Sequence, residues 1–192
     1  MKVGVLALQG AFREQREVLD ALGVEAVEVR APAELGALDA LILPGGESTT
    51  MSKLLDSSGV RAPLAELLVD GLPVLGTCAG MILLAREVVD GRPDQESFGA
   101  IDVAVRRNAY GRQRDSFEVD LAVDGMVGGP FPGVFIRAPR IERAGDDVEV
   151  LAVHDDHPVL ARHGAVWIAS FHPELSGDLR LHEQFLTESG KR

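Results

Sequence analysis

A single cysteine in 192 residues leaves the chain no internal disulfide to form, which fits a reducing compartment, the cytoplasm. Positive charge is scarce as well. Against 30 aspartates and glutamates stand 19 lysines and arginines, a formal net charge of -11. A chain this acidic lacks the electrostatic footprint for nucleic acid or an anionic membrane surface. Aromatic residues make up only 5%, with one tryptophan and one tyrosine, so aliphatic side chains must fill the core. Long apolar runs are missing too, and with them a bilayer span. Val3–Leu8, just after Met1-Lys2, is too short for a signal peptide and leads into Gln9-Gly10 and the charged Arg13–Glu17.

What is present is a hydrophobic fraction of 46%, enough for globular folding, in a length that suits one ordinary α/β domain. Lys2–Leu8 is a short, almost wholly apolar run ending at Gln9-Gly10, the pattern of a strand buried on both faces. Phe12–Leu22 reads as a helix stopped by Gly23. Val24–Val29 and Ala40–Leu43 read as strands, the second cut off by Pro44-Gly45-Gly46. Ser48, Thr49 or Thr50 is expected to cap a helix running to about Leu55. Pro63–Val69 reads as a helix, Leu72–Leu75 as a strand and Met81–Val88 as a helix. This alternation predicts a mostly parallel sheet covered on both faces. The second half reads as strands with short links: Ile101–Val105, Ser116–Val123, Gly133–Ile136, Val148–Val153, Pro158–Arg162 and Ala165–Phe171. His163-Gly164 is expected to turn a hairpin, and Asp178–Thr187 to form a closing helix. With no repeat, low-complexity tract or linker in the sequence, residues 1–192 are expected to form one domain.

The lone cysteine sits in Gly76-Thr77-Cys78-Ala79-Gly80, a G-x-C-x-G pattern between a strand and a helix. A lone cysteine in an apolar segment is more often a quiet core residue. The flanking glycines and the strand–turn–helix context favour a nucleophile elbow with sulfur in place of oxygen. Small neighbours let a sharp, strained turn form, and the thiol then stands at the carboxyl end of the sheet, where open α/β folds bind ligands. The helix that follows points its amino end at Cys78, a placement that favours thiolate, and the Ala79 N–H is available to a developing oxyanion.

A cysteine nucleophile needs a base, and the base an orienting group. Of the five histidines, His182 is expected on the solvated face of the closing helix and His163 in a turn. His154 and His157 lie beside Asp155 and Asp156, in a solvated acidic loop. His172 ends an apolar run in Phe171-His172-Pro173-Glu174-Leu175. If the backbone stays extended there, His172 and Glu174 project from one face, and a carboxylate beside an imidazole fixes its tautomer. The alternative is a strand-end histidine with an unrelated surface glutamate. Leu43–Thr49 (LPGGEST) is a strand, a glycine turn and a capped helix start, where N–H groups can meet an anion; it is equally a turn that simply needs glycine. No cluster has zinc-ligand spacing.

Six segments together carry a family resemblance: Gly4–Gln15, Leu41–Met51, Gly76–Gly80, Arg107–Glu118, Gly133–Pro139 and Ser170–Leu175. In these the chain resembles the class I, or triad, glutamine amidotransferases, and among them the glutaminase subunits of pyridoxal 5′-phosphate synthases. The resemblance implies a three-layer, flavodoxin-like α/β fold with additional antiparallel strands. It implies hydrolysis of L-glutamine to glutamate and ammonia through a thioester, with no metal or organic cofactor. It casts Cys78 as nucleophile, His172 as base and Glu174 as its orienting group. The N–H groups of Gly46 and Ala79 become the oxyanion hole. Gly46, Glu47 and Ser48 hold glutamine, with Arg107 and the Ile136-Arg137 pair at its amino-acid end. Gln9 and Gly10 face the partner and help organise the oxyanion hole. That partner is a synthase subunit, assembled as a ring core decorated by glutaminase subunits, and no nucleic acid or membrane is involved. Gln15 departs from the family, standing where many members carry histidine, and no catalytic consequence is expected of it. Two other readings remain: a glutaminase serving another acceptor, such as imidazole glycerol phosphate synthesis, or a non-catalytic regulatory module of the same fold.

Overall fold

The computed structural model describes residues 1–92, 95–107, 109 and 116–190. Its centre is a seven-stranded sheet in the order β10-β11-β12-β4-β3-β1-β2. The strands are β1 (Lys2–Leu6), β2 (Glu25–Val29), β3 (Ala40–Leu43), β4 (Val74–Thr77), β10 (Glu149–His154), β11 (His157–His163) and β12 (Val166–Ala169). β2, β1, β3, β4 and β12 run parallel, while β11 and β10 add an antiparallel edge. The chain passes from β1 out to β2 and then back to β3 on the other side. That reversal opens the crevice at the carboxyl ends of β1 and β3 where such sheets bind ligands.

The central strands are buried on both faces, and their side chains alternate between two cores. From β3, Leu41 and Leu43 join Met51 and Leu55 of α2 (Ser48–Ser57) and Leu64 of α3 (Arg61–Val69). Ala40 and Ile42 face the other way, toward Leu19 of α1 (Phe12–Ala21) and Phe185 of α5 (Arg180–Ser189). The short α4 (Ala79–Leu84) packs on the first side, where all six of its residues are buried. Two small sheets complete the layers: β5 (Ala85–Val88), β6 (Ile101–Arg106) and β9 (Arg140–Ala144) on the first side, and the hairpin of β7 (Phe117–Leu121) and β8 (Phe131–Phe135) on the second. Among the described residues no helix is long and apolar enough to cross a membrane.

Several expectations shift. The helix after the cysteine does not run from Met81 to Val88. It starts at Ala79 and stops at Leu84, and Ala85–Val88 becomes β5. Nothing local forbids helix in Ala-Arg-Glu-Val; the parallel ladder with β6, Ala85 opposite Ile101 and Val88 opposite Val105, decides it. β9 was not expected, because among its five residues only Ile141 is buried. α2 is capped by Glu47, whose carboxylate accepts from the N–H groups of Thr49 and Thr50, and not by a hydroxyl of Ser48, Thr49 or Thr50. The β11–β12 hairpin turns at Gly164-Ala165, one residue later than expected, with His163 paired to Val166. His154 and His157 face each other across the β10–β11 hairpin, with Asp155 and Asp156 at its tip.

Candidate active site

Four loops from carboxyl strand ends meet at one cleft: the residues after β1, the turn after β3, the elbow after β4 and the segment after β12. The cleft has a volume of about 330 Å³ and is lined by Gln9, Gly46, Glu47, Ser48, Cys78, Ile82, Arg107, Ile136, Arg137, Pro139 and His172. Of the sequence-predicted residues, Cys78, His172, Gly46, Glu47, Ser48, Arg107, Ile136, Arg137 and Gln9 thus share one cavity. Glu174 lies behind His172, Ala79 follows Cys78 at the start of α4, and Gly10 stacks against the Gly45-Gly46 backbone. Asn108 and Tyr110–Asp115, part of the Arg107–Glu118 segment, lie outside the described residues.

The elbow is strained as its sequence predicts. Cys78 has φ 50° and ψ -101°, a region that costs a non-glycine residue about 1–3 kcal/mol and persists only where the surroundings impose it. They do so here. The Cys78 N–H donates to the Ala169 carbonyl at 2.8 Å, tying the elbow to the end of β12. The flanking glycines are sterically required: a Cβ on Gly80 would overlap the Leu43 carbonyl oxygen of β3, and one on Gly76 would come within 2.8 Å of the Gly80 carbonyl oxygen. Ala79 opens a helix, so its N–H has no acceptor within that helix.

Downstream of β12 the backbone leaves the extended form. His172 has φ -107° and ψ 84°, and Pro173–Leu175 is a single 3₁₀ turn. His172 and Glu174 do meet, but through this turn and not through strand alternation. The His172 Nδ1 lies 2.8 Å from the Glu174 Oε1. The His172 N–H is anchored on the Val134 carbonyl of β8 at 2.8 Å, and the ring backs onto Gly45, where any Cβ would collide with it. Burial pulls the His172 pKa down, but hydrogen bonds to the Cys78 sulfur and to Glu174 outweigh it and leave the pKa raised to about 10. His172 therefore holds a proton at neutral pH.

The turn after β3 is held from two sides. Ala11 donates to the Gly45 carbonyl at 2.9 Å. Because N–H and C=O of a trans peptide point in opposite directions, the Gly46 N–H is directed away from the β1–α1 loop. The Gln9 Oε1 accepts from the Glu47 N–H at 2.8 Å. Across the cleft, the Arg107 guanidinium donates to the Gln95 Oε1 at 2.9 Å and approaches the Glu47 Oε1 at 3.5 Å. Arg137 enters the cleft from a left-handed backbone, φ 45°. Among the described residues no group of three or more His, Cys, Asp or Glu side chains is placed to hold a metal ion.

Sequence reasoning missed three residues here. Gln95 steadies Arg107, and nothing in its surroundings in the sequence marks it. His182 is not on a solvated face: it is fully buried, and burial pushes its pKa down to about 4. Its Nε2 lies 2.8 Å from the Gln15 Oε1. Gln15 is fully buried too, and its Nε2 donates to the Glu174 Oε2 at 2.9 Å. The signal for both was helical period. Gln15 shares a face of α1 with Val18 and Leu19, and His182 a face of α5 with Phe185 and Leu186.

Comparison with known proteins gives the arrangement a family. The sequence model of the SNO glutamine amidotransferase family matches residues 5–191. The chain is 56% identical over 185 residues to the pyridoxal 5′-phosphate synthase subunit PdxT of Frankia alni, covering 96% of this chain and 93% of that one. It is 58% identical over 184 residues to the protein of the same name from Mycobacteroides abscessus, covering 96% and 95%. Among solved structures, a crystal structure of a glutamine amidotransferase superposes with a TM-score of 0.92 at 53% identity over 98% of both chains. With the elbow, the histidine–carboxylate pair and the glycine turn in one cleft, and matched over nearly all its length, this chain belongs to the SNO glutamine amidotransferase family.

Proposed function

We propose that Cys78, His172 and Glu174 are the catalytic triad with which this chain, as the glutaminase subunit of a pyridoxal 5′-phosphate synthase, hydrolyses L-glutamine and delivers ammonia to the synthase subunit. The observation that carries the reading is the strained elbow, which sets Cys78 in one cleft with His172, whose ring is backed by the buried Glu174 at 2.8 Å. The Cys78 sulfur attacks the side-chain amide carbon of glutamine, and the carbonyl electrons move to oxygen. The N–H groups of Gly46 and Ala79 receive that oxyanion. His172 gives its proton to the departing nitrogen, the C–N bond breaks, and ammonia leaves a γ-glutamyl thioester. Water then attacks the thioester, His172 takes its proton, and the C–S bond breaks to release glutamate. Glu174 keeps His172 in the tautomer and orientation both steps need.

Glu47, Ser48 and Gly46 line the wall that would hold glutamine, with Arg107 and the Ile136-Arg137 pair at its α-carboxylate, the group a guanidinium recognises best. Gln9, bonded to the Glu47 N–H, and Gly10 couple the oxyanion side to the surface where the synthase ring docks. Residues 1–192 act as one glutaminase domain in the cytoplasm. Ammonia released into water would be protonated and lost as a nucleophile, so the isolated chain is expected to be a weak glutaminase that the synthase subunit activates. Glutamate release assayed with and without that subunit, for the parent and for Cys78→Ala, tests the reading. The expected outcome is stimulation of the parent and a loss of at least about 1,000-fold in Cys78→Ala. Undiminished hydrolysis by Cys78→Ala in the complex overturns the triad assignment, and equal stimulation by an unrelated acceptor synthase overturns the choice of partner.

A further inference from the structure

The two buried polar side chains behind the triad, Gln15 and His182, touch neither the cleft nor solvent, and the mechanism does not use them. We infer that Gln15 is a positioning residue for the triad, its amide locking the Glu174 carboxylate against His172, and that His182 fixes which way that amide faces. This rests on the triad reading above.

The geometry leaves little freedom. The Glu174 side chain is fully buried, so both its oxygens need donors. Oε1 takes His172 Nδ1 at 2.8 Å and Oε2 takes Gln15 Nε2 at 2.9 Å. Without Gln15, Oε2 would be buried and bare, and the carboxylate would be driven to rotate or take up a proton. Either would release the ring it holds. The same Gln15 nitrogen lies 3.3 Å from the Thr77 Oγ1, and Thr77 immediately precedes Cys78. One amide therefore ties the orienting carboxylate to the strand end that carries the nucleophile, bridging α1, β4 and the 3₁₀ turn.

An amide has two ends that can exchange, and Glu174 and His182 together choose between them. A carbonyl oxygen only accepts, so the 2.8 Å contact with Gln15 Oε1 requires the hydrogen on His182 Nε2. The other ring nitrogen, Nδ1, has no hydrogen-bond partner, so the one hydrogen of a neutral ring sits where it has an acceptor. Turning the amide over would set its oxygen against the Glu174 carboxylate, and its NH₂ could bond His182 only if the ring moved its hydrogen to Nδ1, where it has no acceptor. In α1, Gln15 occupies a position on the buried stripe with Val18 and Leu19, where leucine would be the simpler core residue.

The experiment measures glutamine kcat and KM in the complex with the synthase subunit, alongside thermal unfolding and complex formation. Gln15→Leu is expected to lower kcat about 10- to 100-fold, the scale of a slightly misplaced catalytic group, with KM within about 2-fold. His182→Phe should lower kcat similarly. His182→Gln, which restores an N–H donor near the Nε2 position, should stay within about 3-fold of the parent. In the double variant Gln15→Leu/His182→Phe, kcat should fall no further than in Gln15→Leu, because His182 acts only through the amide. A packing role alone would favour Phe, the ring nearer in shape to imidazole, over Gln at position 182. A folded Gln15→Leu with parental kcat overturns the inference, as does His182→Gln falling as far as His182→Phe. If Gln15→Leu does not fold, the His182 pair decides. The underlying reading is tested separately: an active Cys78→Ala sinks the triad, whereas an inactive Cys78→Ala beside a fully active Gln15→Leu sinks only this inference.

Discussion

The two walls of the cleft are built on different terms. On the proposed catalytic wall, Cys78, His172 and Glu174 follow the ends of central strands, the histidine and glutamate side chains are 9% and 0% exposed, and Glu174 is held by His172 at 2.8 Å and by Gln15 at 2.9 Å. On the proposed recognition wall, Glu47 is 45% exposed and meets Arg107 only at 3.5 Å, while Arg107 leans on the Gln95 side chain. Chemistry needs groups held within a fraction of an ångström before substrate arrives. Recognition of a small zwitterion does not, since its own charges can complete the pairing. Arg107 without glutamine is satisfied by Gln95 and Glu47, and a substrate carboxylate would have to draw it from them.

Substitutions on the two walls should therefore separate kcat from KM. After Cys78→Ala, the largest effect is expected from Glu174→Gln, which keeps shape and removes the charge that holds the His172 imidazolium. In the complex kcat should fall on the order of 100- to 1,000-fold, about 3–4 kcal/mol, with KM little changed. A comparable rise in KM would mean that the catalytic wall also binds. Arg107→Ala should do the reverse. KM for glutamine should rise about 50-fold, a little over 2 kcal/mol for a lost charged hydrogen bond, with kcat within about 2-fold. Should kcat fall instead and KM hold, Arg107 belongs to the catalytic wall and the contrast fails.

How legible each wall was in the sequence follows the same division. The elbow was readable because the two glycines that its packing demands, Gly76 and Gly80, stand within two residues of Cys78 in the sequence. The central strands β1, β3 and β4 were readable because burial on both faces leaves a short unbroken apolar run. The pairing of His172 with Glu174 was readable, but for the wrong backbone reason, since a proline-initiated 3₁₀ turn brings them together. The switch from α4 to β5 was not readable, because a strand distant in sequence, β6, imposes it. Only the family resemblance pointed to Arg107 and Arg137, as loop positions carry no periodicity. Gln15 and His182 were open to reading. Each stands in the apolar stripe of its helix, and a polar residue in such a stripe asks for a buried partner.

The buried construction of the catalytic wall also carries a pH sensitivity that the exposed wall avoids, and this gives the smallest of the expected effects. Burial holds the His182 pKa near 4 in the folded chain, against about 6.5 for an exposed histidine. Between those values the unfolded chain binds a proton that the folded chain refuses, so stability rises with pH across the window and is lost as pH falls through it. From neutrality to about pH 5 the loss should be about 1.5–2 kcal/mol. Other groups act elsewhere on the scale. The His172 pKa is raised to about 10, so its contribution is complete below about 6.5 and fades as pH rises from there to about 10. Glu28, Glu142 and Asp178, held below the usual carboxylate range by hydrogen bonds from Arg16, Arg140 and Arg180, lose their contribution only at still lower pH. The first step of acid destabilisation thus belongs to His182. Urea unfolding followed from pH 7 to pH 5 should show that step in the parent and no loss of stability in His182→Gln, whatever the absolute stability of the variant. A step of equal size in both would place the proton elsewhere, and the burial of His182 would then carry no titration cost.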